Sequence, residues 1–118
     1  MKKRTNNAVA VSDVVSALRA VVLCAERDIF VQWVIASGMM SDVLTTEEEG
    51  ILLISNLTSV QVIRTADMVG APAVVIASGK QIPESTTDLA AKLGIMLICT
   101  PMPVFEACCA LSPLFFEA

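Results

Sequence analysis

The sequence predicts an α/β fold, a three-layer α/β/α arrangement around a mixed, mainly parallel sheet of about five strands. Three short runs carry that expectation: Ile51 to Ser55 after Gly50, Ala73 to Ala77 after Gly70, and Ile95 to Cys99 after Gly94. Each run is apolar nearly throughout instead of alternating, as a strand must be when helices cover both faces of a parallel sheet. Each also leaves through polar residues into a segment with helical spacing, and the crossover that joins parallel neighbours is usually a helix.

The elements follow in chain order. Residues 1 to 7, MKKRTNN, are polar and are expected to be frayed. Ser12 suits the cap of a short helix running to about Arg19, with Val14, Val15 and Leu18 at helical spacing. Ala20 to Cys24 is apolar and β-branched, hence a strand, and Ala25 to Asp28 forms a turn. Ile29 to Ala36 is a second strand, in which Phe30, Gln32 and Val34 alternate against Val31, Trp33 and Ile35. Both of its faces are therefore largely apolar.

Ser37-Gly38 ends that strand, and Met39 to about Thr46 reads as a short helix. Glu47, Glu48 and Glu49 form a solvated exit before the strand at Ile51. Thr58 and Gln61 have the spacing of a capping box. The helix after them buries Val62, Ile63, Ala66 and Val69 and closes at Gly70. Pro83 opens a further helix with Leu89, Ala90 and Leu93 inward, closed by Gly94. Thr100 as cap and Pro101 at the first helical position start the last helix, with Val104, Phe105, Cys108 and Leu111 facing the core. Phe115 and Phe116 should pack on the domain or on a partner, since exposed rings are costly.

At 118 residues the chain, residues 1 to 118, is expected to be one domain, with a net charge of −4. Apart from Lys2, Lys3 and Arg4 no basic cluster occurs, which excludes a phosphate-backbone binder such as a nucleic-acid protein. Asp13 and Arg19 interrupt the apolar stretch after those basic residues, so a signal peptide is not indicated and a cytoplasmic chain is expected. No apolar run is long enough for a membrane span. The composition is 55% hydrophobic and only 17% charged, more apolar surface than a small monomer hides, which implies self-association.

The chain has no histidine, and its four cysteines, Cys24, Cys99, Cys108 and Cys109, show no C-x-x-C spacing. Zinc, haem and imidazole-based catalysis therefore lack their usual ligand or base, and no metal, cofactor or catalytic residue is assigned. Six methionines, Met39, Met40 and Met96 among them, read as core or interface filler. Neither a G-x-x-x-x-G-K-[ST] phosphate loop nor a G-x-G-x-x-G fingerprint is present.

Ligands of open α/β sheets gather beyond the carboxyl ends of the strands. Here those ends hold Ser55, Asn56 and Thr58, then Ser78, Gly79 and Lys80, then Thr100. Hydroxyls, an amide, a glycine and one ammonium suit an anion or a nucleotide fragment, although the same residue types also serve as ordinary caps and turns.

The run from Leu57 to Ala66, then Gly70 to Lys80, then Leu93-Gly94-Ile95 and Thr100-Pro101 through Ala107, resembles the DRTGG domain family over about residues 12 to 111. Ser41-Asp42 matches the Ser-Asp pair that leads a helix in that family, whereas residues 25 to 38 replace the naming motif and keep only fragments of it. The resemblance implies a regulatory or accessory module. Such domains lie beside CBS domains in inorganic pyrophosphatases, occur in phosphotransacetylases, and stand alone near iron-only hydrogenase genes. They are similar to the amino-terminal domain of HPr kinase, and the missing phosphate loop disfavours a serine kinase activity here.

Two readings follow. The first is a non-catalytic, dimerising module that binds a small anionic ligand or nucleotide at the strand ends and serves a partner enzyme. Its dimer interface is expected at Phe30, Val31, Trp33, Met39 and Met40, because the second strand carries a surplus apolar face. The second is a small redox or transferase accessory protein of hydrogenase-related metabolism, using Cys99 or Cys108 near the last helix start, where the helix dipole lowers a thiol pKa.

Overall fold

The computed structural model describes residues 2–115. In chain order the elements are β1 (Lys2–Ala10), α1 (Val11–Leu18), β2 (Val21–Cys24), β3 (Phe30–Ala36), α2 (Met40–Val43) and β4 (Ile51–Ser55). They continue with α3 (Val60–Val69), β5 (Ala73–Ile76), α4 (Glu84–Leu93), β6 (Met96–Cys99) and α5 (Val104–Phe115). Phe116 lies outside the described residues.

The strands form one six-stranded sheet in the order β1-β3-β4-β5-β6-β2. The inner strands β3, β4, β5 and β6 run parallel, as the strand-helix alternation predicts. Antiparallel strands flank them, β1 on β3 and β2 on β6. Helices cover both faces. Val11, Val14 and Leu18 of α1 and Ala107, Leu111 and Phe115 of α5 pack on Leu52, Ile54, Val75 and Ile98. On the other face Met40, Val43, Val62, Ile63, Ala66 and Ala90 pack on Leu53, Val74 and Leu97. Alternate residues of a strand supply opposite layers, which is why β4 is buried at every position.

The sheet has one strand more than the sequence suggests. Residues expected to be frayed belong to β1, whose backbone pairs Lys2 with Ile35 and Arg4 with Trp33. An edge strand needs only main-chain partners on one side, so its polar sequence carries no apolar signal. Its presence places β3 inside the sheet. A further departure lies in β3 itself: the amides of Gln32 and Trp33 both donate to the Gly50 carbonyl, at 2.8 and 3.1 Å. That bulge brings Val31 and Val34 to one face, with Trp33 and Ile35 on the other, and breaks the strict alternation.

Helix starts also differ from expectation. α1 begins at Val11, whose amide is taken by the Ile29 carbonyl at 3.0 Å, and Ser12 lies exposed inside the first turn. α3 begins after Ser59 with no side-chain cap, so Thr58 and Gln61 form no capping box. α5 starts at Val104 and not at Pro101, because the Thr100 hydroxyl accepts the Met102 amide at 3.2 Å and holds residues 100 to 102 in a turn. In α5 Phe105 is 78% exposed, contrary to its expected inward position, while Phe115 is buried. Leu93 likewise faces solvent at the end of α4. Gly70 and Gly94 close α3 and α4 in the left-handed conformation, with φ of 73° and 71°.

Candidate functional site

Parallel strands β3 to β6 deliver their carboxyl ends to one edge of the domain, and short backbone bonds keep those ends in line. The Ser37 amide donates to Ile54 at 3.0 Å, that of Ala77 to Ser55 at 2.8 Å, and that of Thr100 to Ile76 at 3.0 Å. The ladder therefore continues one residue past β3, β5 and β6. Next, the amides of Ser78 and Gly79 donate to Met102 and Thr100, at 2.8 and 3.0 Å, fastening the β5 loop to the β6 loop. Ser78 and Gly79 both have positive φ, 72° and 61°. Such a conformation costs a serine about 1 kcal/mol or more, so the two bonds hold a turn that the chain would otherwise leave.

Lys80 follows that turn and reaches sideways along the edge. Its Nζ donates to the Asn56 carbonyl at 3.1 Å, which places the ammonium over the end of β4. One neutral acceptor leaves the ammonium's other donors free for an anion. Asn56 itself is exposed, and its Oδ1 would stand 3.7 Å from a β-carbon built at Gly38. The row is thereby continuous from Gly79 through Lys80 and Asn56 to Ser37-Gly38. Beside Ser37 a shallow cleft of about 220 Å³ opens toward α2, with Asp42, Thr45 and Thr46 among its walls.

Not every expected residue reaches this row. Asn56, Ser78, Gly79 and Lys80 are exposed and lie together. Ser55 is buried, and its hydroxyl accepts the Leu57 amide at 3.2 Å. Thr58 presents its carbonyl to the Thr86 hydroxyl at 2.7 Å, linking the start of α3 to α4. Thr100 is also buried, with its hydroxyl donating to the Leu18 carbonyl at 2.7 Å, and it serves the junction of α1 with the sheet. Ser37-Gly38 was not assigned to the site from the sequence, although it repeats the Ser-Gly pair found at 78 and 79.

Among the expected interface residues, Val31 is fully buried and Met40 nearly so, because both belong to the two cores. Trp33 is half-buried on the α2 side. Phe30 and Met39 are exposed by 62% and 61%. Phe30 opens β3 and Met39 lies past its end, and since the strand alone spans about 20 Å at the usual rise per residue they do not make one patch.

All four cysteines are free. Burial pushes the Cys108 thiol up from its ordinary value of 9.0, the opposite of what an attacking thiolate requires. Cys99 precedes α5 by several residues, since the helix starts later than the sequence suggests. Among the described residues no group of three or more His, Cys, Asp or Glu side chains could hold a metal ion, and no helix is long and apolar enough to cross a membrane.

No family model matches the chain, and no curated protein sequence matches it. Its structure is similar to a crystal structure of the CBS and DRTGG domains of the regulatory region of Clostridium perfringens pyrophosphatase, solved in complex with the activator diadenosine tetraphosphate. The TM-score is 0.75 at 18% sequence identity, over 90% of this chain and 47% of that one, so the chain spans about half the length of its neighbour. The mixed sheet, its two helical layers and this similarity agree: in fold, the chain is a DRTGG-like domain.

Proposed function

We propose that the chain is a non-catalytic regulatory or accessory module that binds a small anionic ligand of the nucleotide class at the strand-end row. The carrying observation is the ammonium of Lys80, laid on the Asn56 carbonyl at the meeting point of parallel strand ends. One cation beside the exposed side chains of Asn56 and Ser78 suits phosphate, whereas no imidazole exists in the chain to activate Ser78 as a nucleophile. The neighbouring fold belongs to the regulatory region of an enzyme and was crystallised with a nucleotide activator, which supports a regulatory role in service of a partner enzyme. Free thiols on all four cysteines agree with a cytoplasmic setting.

Calorimetric titration of diadenosine tetraphosphate, ATP and inorganic phosphate into the chain tests the reading. A nucleotide should bind, and Lys80→Ala should weaken it by roughly 10- to 100-fold, the worth of one charged hydrogen bond of about 1.5–3 kcal/mol. Because Lys80 is exposed, the variant should keep its melting temperature. Absence of nucleotide binding, or equal affinity in the variant, refutes the assignment.

Self-association belongs to the same reading. Its support is the exposed apolar side chains, Val21 and Leu23 on the edge strand β2, Phe30 and Met39 around β3, and Phe105 on α5. A homodimer is the simplest closed arrangement that covers part of them.

A further inference from the structure

The opposite end of the sheet, near the first residue of β6, holds a second cleft that the strand-end reading does not use. It has a volume of about 390 Å³, within the range of small-molecule sites. Val15, Val22 and Met96 give it an apolar floor, Ser12 stands at one wall, and Glu26, Arg27 and Asp28 form the rim.

Arg27 is the informative residue. Its guanidinium donates to the carbonyls of Gly94 and Ala25, both neutral acceptors. Although Glu26 and Asp28 flank it in sequence, no ion pair reaches it among the described residues. Both bonds leave from one nitrogen, Nη1, and further N–H donors of the planar guanidinium remain for a carboxylate. The loop that holds it so is strained, for Ala25 adopts φ of 56°, a left-handed conformation uncommon for alanine. Ser12, in the first turn of α1, brings an exposed hydroxyl to the same cleft.

We infer that this cleft binds an apolar α-amino acid. The ligand's carboxylate takes Arg27 and the Ser12 wall, its ammonium takes Glu26 or Asp28, and its side chain lies on Val15, Val22 and Met96. The rim selects for a zwitterion. A polyphosphate would meet two carboxylates at the entrance, and a fatty acid would leave them without a partner. A molecule carrying one charge of each sign and a hydrocarbon body can set its carboxylate on the cation, its ammonium between the two anions and its body on the apolar floor.

Isothermal titration of leucine and methionine into the full chain is the test, with 4-methylpentanoate, 3-methylbutylamine and glycine as comparison ligands. Leucine or methionine should bind, and each comparison ligand, lacking the ammonium, the carboxylate or the hydrocarbon, should bind at least about tenfold more weakly, as a charged partner or a buried side chain is worth. Arg27→Ala should reduce leucine affinity to the same degree. The double variant Glu26→Gln with Asp28→Asn alters only exposed side chains and should do likewise without changing the fold, which guards against a loop collapse in the arginine variant. Lys80→Ala should leave leucine binding intact, so this site and the nucleotide site fail or succeed separately. No binding of leucine or methionine, equal binding of 4-methylpentanoate, or unaltered affinity in the acidic double variant overturns the inference.

Discussion

Thr100 illustrates how one hydroxyl can be mistaken for a ligand group. It donates to the Leu18 carbonyl and accepts the Met102 amide while 1% exposed, so both directions of its hydrogen bonding are used inside the protein. Thr100→Val keeps the shape and removes both bonds, leaving buried polar groups without partners. The expected cost is about 1–3 kcal/mol per unsatisfied group, measured by urea denaturation, with Thr100→Ser restoring most of it. Equal stability of the valine variant would mean that the Leu18 carbonyl finds another donor. In sequence Thr100 and Asn56 look alike, each a polar residue just after an apolar strand. Only the fold separates them: α1 ends beside Thr100 and supplies an acceptor, whereas Asn56 has solvent above it. Lys80, a lone cation after a Ser-Gly turn in the sequence, lies in the structure across two strand ends, its ammonium on the Asn56 carbonyl.

The parallel strands and their crossover helices were readable because continuous burial leaves continuous apolar runs, and left-handed glycines mark the exits of α3 and α4. β1 was not, since its role is carried by backbone pairing. The bulge in β3 escaped for a similar reason: it is set by the Gly50 carbonyl on β4's approach, a partner far along the chain. Both features decide what β3 can do. With β1 in place, β3 has a paired neighbour on each side, and Val31, Val34 and Ile35 belong to the core while Phe30 stays exposed. Deleting residues 1 to 10 should therefore uncover the edge of β3 and also remove Val9 from the core. An uncovered edge flanked by apolar side chains is a template for pairing with another chain. Light scattering should show larger assemblies than the full chain forms under the same conditions. A truncated chain of unchanged size and stability would mean that β1 contributes neither pairing nor burial.

For the molecule as a whole, the sheet separates two ends with different chemistry, the Lys80 row beyond the carboxyl ends and the Arg27 cleft beyond the amino ends. The apolar surplus is scattered, with Phe30 and Met39 at the two ends of β3, Val21 and Leu23 on the edge strand β2 and Phe105 on α5. Its composition suggested a dimer through β3, and the structure redistributes that expectation, because Val31 is 0% exposed whereas Phe30 is 62% exposed one residue away. These neighbours predict opposite failures. Val31→Asp would bury a carboxylate among aliphatic side chains without a partner, at a cost of several kcal/mol. Against a total stability of about 5–15 kcal/mol for a domain, that change should unfold the chain or lower its melting temperature sharply. Phe30→Glu and Met39→Glu add charge where solvent already reaches, so they should leave the melting temperature of the fold close to that of the parent. If the chain dimerises through either end of β3, one of these two variants should sediment as a monomer at micromolar concentration while the parent sediments as a dimer. A parent that is monomeric at that concentration ends the self-association reading, and dimers in both variants move the interface to Val21 and Leu23 of β2 or to Phe105 of α5.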